Sequence, residues 1–134
     1  MSVTHGGGRA RNFDWSVKHG QLLIQSESGM RHSYSLEEIL TIIHSLHTAF
    51  NENWIPLANN VETMYSGTER LGLGTTIYQL RPGDTTHAQG ASYLGVVLEE
   101  IGVFEWNGET RGIAWRFHNL VDDIKSLQAL LNED

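Results

Sequence analysis

The chain has no cysteine at all, only two prolines, and only two lysines among its 134 residues. Without cysteine there is no disulfide, no thiolate metal site and no thiol nucleophile. That fits a cytoplasmic protein, and a cytoplasmic location is the expectation. No apolar run approaches the roughly 20 residues that a membrane-spanning helix needs, so no membrane partner is expected. The first residues, MSVTHGGGRARNF, lack the apolar centre of a secretory signal. Cations are scarce: nine Lys and Arg stand against sixteen Asp and Glu, a formal net charge of -7. Generic nucleic-acid binding draws its affinity from cations that neutralise phosphates. Any such role here therefore needs the few basic residues to converge. The length suits one domain able to bury a core without covalent staples.

The stretch Asp84 to Phe117 is the most informative. Asp84, Thr85 and Thr86 can each accept the free amides of a first helical turn. Ala88, Ala91, Leu94, Val97, Leu98 and Ile101 recur at steps of three and four, the spacing of one helix face. Gly102 suits the left-handed position just past a helix end. A period of two comes next: Phe104 and Trp106, then, beyond Asn107-Gly108, Ile113, Trp115 and Phe117. Asn-Gly tolerates the positive φ of a tight hairpin turn. The reading is a single helix running into a hairpin; with Asn107-Gly108 as the two-residue turn, Trp106 faces Trp115, and Glu105 lies opposite Thr110 or Arg111 according to loop length.

In the rest of the chain, residues 1–12 carry three consecutive glycines, Arg9, Arg11 and little that is apolar, and read as a flexible arm. Residues 13–34 read as an N-terminal β-hairpin turning at His19-Gly20, with a short third strand around His32 and Tyr34. Ser35 and Glu38 form an S-x-x-E capping box. Ile39, Ile42, Ile43, Leu46 and Phe50 then make the apolar stripe of a first helix ending near Asn51 to Asn53. Pro56 suits a helix start, and a second helix is expected from there to Ser66-Gly67. About twenty residues, Gly67 to Thr86, separate it from the next helix; their glycines argue for loop, with a short strand or an added helical turn between Thr75 and Leu80. Asn119 can cap a last helix over 120–132, in which Leu120, Ile124, Leu127 and Leu131 form a narrow stripe. That stripe either closes the core or pairs two chains in a homodimer.

No residue pattern announces a reaction. G-x-S-x-G, H-E-x-x-H and the phosphate loop with its lysine are missing, so no catalytic residue is nominated and an enzyme is not expected. His44 and His47 lie one helical turn apart, but zinc needs three or four convergent ligands; no metal and no cofactor is nominated. The adjacent pairs Glu37-Glu38, Glu99-Glu100 and Asp122-Asp123 point about 100° apart on a helix and read as caps or solvated faces.

The order helix, helix, helix, hairpin over residues 35–117 resembles the winged helix-turn-helix superfamily. The expected fold is α+β: a winged-helix-like core of three helices with a hairpin wing, plus an extra N-terminal β-hairpin (13–34) and a terminal helix (119–132), in one domain from 13 to 134. The resemblance implies DNA binding by a small transcription-regulator-like protein, or a protein-interaction adaptor built on the same fold, commonly as a dimer. The helix from His87 would then be the recognition helix. Thr85, Thr86, His87, Gln89, Ser92 and Tyr93 would supply its polar contacts, with Gln89 able to pair with an adenine edge. Arg111 and Arg116 on the wing, and Arg70 and Arg81 in the insertion, would meet phosphates. Glu99, Glu100, Glu105 and Glu109 would repel them.

Overall fold

The computed structural model describes residues 1–132. The chain is α+β, with two small antiparallel sheets and no barrel. The first sheet holds β1 (Ser2–Val3), β2 (Asn12–Lys18), β3 (Gln21–Ser26) and β4 (Arg31–Ser35), in that order. Residues 1–12, expected as a loose arm, are folded back: Ser2 pairs with Phe13 and Val3 with Asn12. A 3₁₀ turn follows at Gly7–Arg9. The β2–β3 turn falls at His19-Gly20, both at positive φ (54° and 73°), the tight hairpin geometry expected there. Alternation decides the faces. Phe13, Leu22, Ile24 and Tyr34 are buried, while Asp14, Ser16, Gln25 and Ser33 face solvent.

Ser35 caps α1 (Leu36–Phe50), its Oγ accepting the amide of Glu38 at 3.0 Å. The stripe Ile39, Ile42, Ile43 and Leu46 is fully buried. The expected second helix is mostly not one. Pro56 lies in β5 (Ile55–Pro56), on the edge of the second sheet, where a missing N–H forfeits no ladder bond. Only Val61–Ser66 is helical (α2), capped by Asn60 Oδ1.

The insertion is more ordered than its glycines suggest. It forms α3 (Leu73–Leu80), packed on α1, with Leu73 and Ile77 fully buried. A Cβ at Gly72 would collide with the carbonyl of Pro56, and one at Gly74 with that of Ala58. These glycines permit close approach of two backbones rather than marking a loop.

The long helix expected from Asp84 is two: α4 (Thr85–Gln89) and α5 (Ala91–Glu100), divided at Gly90. A Cβ at Gly90 would strike the Tyr34 hydroxyl and the His32 ring, so β4 presses directly on the break. α5 is buried on almost every side; Ala91 and every residue from Tyr93 to Leu98 are buried. It ends as expected at Gly102 (φ 86°), with the Val103 amide donating to the carbonyl of Leu98 at 2.9 Å.

The hairpin is β6 (Phe104–Trp106) and β7 (Ala114–Phe117), and β7 also pairs with β5. Trp106 does pair with Trp115, but Glu105 faces Arg116, not Thr110 or Arg111. The connection is the seven-residue segment 107–113, not a two-residue turn. It is organised by Asn107, which donates to the Gly112 carbonyl at 3.0 Å and accepts from the Glu109 amide at 3.1 Å. The last helix, α6 (Ile124–Leu131), starts four residues later than expected because Asp123, not Asn119, caps it through the Ser126 amide at 2.7 Å. α6 packs on α1. No helix among the described residues is long and apolar enough to cross a membrane.

Candidate functional site

Five separate parts of the chain border one cleft of about 770 Å³, one of them Leu57 and Asn59 just after β5. The folded-back N-terminal segment supplies His5, Arg9 and Arg11. The β3–β4 turn and β4 supply Met30 and His32. The α4–α5 junction supplies Gln89, Ser92 and Tyr93. The β6–β7 connection and β7 supply Thr110, Ile113 and Trp115. In size it falls within the usual range for small-molecule sites.

Its electrostatics differ from those of the rest of the molecule. In a chain of net charge -7, two arginines and two histidines line this cleft, and among the described residues no carboxylate does. The nearby Glu99 is held by two of the lining residues. It accepts from Trp115 Nε1 at 3.1 Å, and its Oε1 lies 2.7 Å from His5 Nε2. His5 also stacks on Trp106, with ring centroids 3.6 Å apart and planes 4° from parallel. His5 is thereby fixed between the hairpin and α5, and it anchors the segment that presents Arg9 and Arg11.

Two polar side chains on the inner wall are more than nine-tenths buried: His32 and Tyr93, each 7% exposed. Among the described residues neither the ring nitrogens of His32 nor the Tyr93 hydroxyl find a hydrogen-bond partner, and both side chains line the cleft. Burial, and then the neighbouring His87, hold the His32 pKa below its ordinary value, with Asp84 opposing. Beside them begins α5. Gly90, itself in helical conformation, joins it to α4 and brings no side chain to cap it.

Behind that wall lies a second polar cluster. His87 is buried, with Nε2 2.6 Å from Glu38 Oε2. The Tyr34 hydroxyl donates to the His87 carbonyl at 2.6 Å, and burial raises the pKa of that phenol. Glu38 Oε1 is buried with no hydrogen bond; the guanidinium of Arg81 stands 3.8 Å away.

The residues nominated for DNA contact are thus dispersed. Gln89, Ser92 and Tyr93 meet in the cleft, whereas His87 is buried behind it and paired with Glu38. Thr85 is half-buried and Thr86 exposed at the start of α4. Arg81 leans on Glu38 and Asp84. Arg116 forms a two-pronged pair with Glu105 and covers the Trp54 ring at 4.5 Å. Arg70 and Arg111 are exposed, Arg70 outside the cleft and Arg111 next to Thr110 on its rim. The stripe on α6 also divides: Leu127 and Leu131 are buried against their own chain, Ile124 is half-buried and Leu120 is exposed. Sequence reasoning does not nominate His5, Arg9, Arg11 or His32. The only sign of them in the sequence is the R-x-R beside the glycines at 6–8.

Among the described residues no three His, Cys, Asp or Glu side chains are gathered to hold a metal ion. No family model, characterised protein or solved structure matches the chain.

Proposed function

We propose that the protein is a recognition module that acts by binding, and that its binding surface is the cleft face rather than a helix laid into a groove. One observation carries this reading: the cleft that has the exposed Arg9 and Arg11 on its walls is lined by no carboxylate among the described residues, in a chain with sixteen of them. A negatively charged partner is what such a face selects. In the winged-helix reading that partner is DNA. The α5-to-hairpin passage through Gly102 is the part of the observed chain that supports it, and Gln89, Ser92 and Arg111 are the contacts it retains. Because α5 is buried nearly all round, DNA would meet the start of α5 and the hairpin connection.

The test is a mobility shift with mixed DNA fragments at low and high salt. Retention at low salt that weakens in the Arg9→Ala/Arg11→Ala variant is expected, since phosphate contacts register first at low salt. No retention even at low salt removes DNA as the partner. A second reading, a protein-interaction adaptor, is favoured by the apolar side chains exposed on α2 and in the segment that follows it, Tyr65 at 67% and Leu71 at 46%.

A further inference from the structure

With the cleft as the binding surface, its walls specify more than a general attraction for negative charge, and the ligand class inferred from them rests on that reading. Arg9 and Arg11 stand on one wall; Ser92, Gln89 and the start of α5 stand on another. His32 and Tyr93, each 7% exposed, complete the wall between, and their polar atoms stay open to the cleft with no protein partner among the described residues. Open atoms of this kind can hydrogen-bond a ligand oxygen. A carboxylate offers two oxygens in one plane. A phosphate monoester offers three terminal oxygens and a charge near −2, roughly the complement of two guanidinium groups on one side and neutral donors on the other. The remaining lining is apolar: Met30, Leu57, Ile113 and the Trp115 ring.

From this arrangement we infer that the cleft is a site for a small organic phosphate, its phosphate held between the Arg9–Arg11 segment and the first turn of α5 and its flat or apolar body lying toward Ile113 and Trp115. A free phosphomonoester and the terminal phosphate of a nucleic acid share this chemistry, and size separates them.

Phenyl phosphate, inorganic phosphate, benzoate and a 5′-phosphorylated oligonucleotide are titrated into the full chain. Heat and tryptophan emission are the readouts. Saturable binding of phenyl phosphate is expected, stronger than that of inorganic phosphate or benzoate. The Arg9→Ala/Arg11→Ala variant should weaken it by at least about tenfold, the scale of losing charge-assisted hydrogen bonds. The Arg70→Ala variant, altered at an exposed position outside the cleft, should bind as the parent does. Both sets of changes are at exposed positions, and unchanged thermal melting verifies that the fold is kept. Absence of saturable binding by phenyl phosphate overturns the inference, as does equal binding of benzoate or indifference to the loss of both arginines. Preference for the oligonucleotide over phenyl phosphate also overturns it, yet leaves the recognition-module reading standing. Loss of DNA retention with phenyl phosphate binding intact does the reverse, removing DNA as the partner while the phosphate site stands.

Discussion

Glu38 is bonded twice, once to a residue near it in sequence and once to a residue far away. Three positions after Ser35 it completes a capping box in the sequence, and Ser35 does cap α1 through the Glu38 amide. The carboxylate that would return to Ser35 goes elsewhere, across to His87 on α4 at 2.6 Å. Local spacing could nominate the cap; a partner 49 positions away in the chain was invisible to it. The same distance problem hid His32, which reads as one more polar residue in a short strand. In the fold it is buried and its pKa is lowered, chiefly by that burial. A proton therefore binds the unfolded chain, at its ordinary value of 6.5, more readily than the folded one. Stability accordingly falls as pH drops through 6.5 toward the lowered folded pKa, and this contribution is level above 6.5. Urea midpoints at about pH 7.5 and about pH 5.5 should show a smaller acid loss for His32→Asn than for the parent. An identical loss in both proteins would show that His32 does not carry the effect.

Among the elements, α1 and α5 mark the limits of periodicity. The stripe on α1 is legible because one side of that helix stays wet. α5 follows the same spacing, but Tyr93, Val96 and the rest are buried too, so the spacing alone could not reveal a central helix. α6 separates the two readings of its stripe. Leu127 is completely buried against its own chain, whereas Leu120 is 46% exposed. Leu127→Ala should cost about 2–5 kcal/mol, the range for emptying a packed leucine site, measured by urea unfolding. Leu120→Asp should leave stability within about 0.5 kcal/mol, as surface changes do. If light scattering finds a dimer in the parent and a monomer in Leu120→Asp, the exposed part of the stripe is an interface. A dimer that survives lies on another surface.

Across the whole molecule, the N-terminal segment joins the two sheets. β1 pairs with β2, His5 stacks on Trp106 of the second sheet, and Trp15 Nε1 of β2 donates to Glu100 on α5 at 3.1 Å. Removing residues 1–6 should therefore lower the melting temperature by several degrees, on the order of 4 °C for each kcal/mol in a domain near this size. It should also weaken anion binding, because the Arg9–Arg11 segment loses its anchor. An unchanged melting temperature would return residues 1–12 to the flexible arm that three glycines in a row suggest. Periodicity and punctuation were sufficient for α1, for the β2–β3 hairpin and for the Gly102 stop. Each depends on residues close in sequence, where spacing maps directly onto geometry. They failed where contacts cross the chain. Pro56 joined a sheet because β7 offered it an edge, and Gly72 and Gly74 became a backbone crossing because residues 56–58 lie beneath them. The cleft is wholly of the second kind. Its two arginines, its buried histidine and its tyrosine come from segments up to about eighty positions apart, and only the burial of α5 and the folding back of the first residues bring them onto one surface.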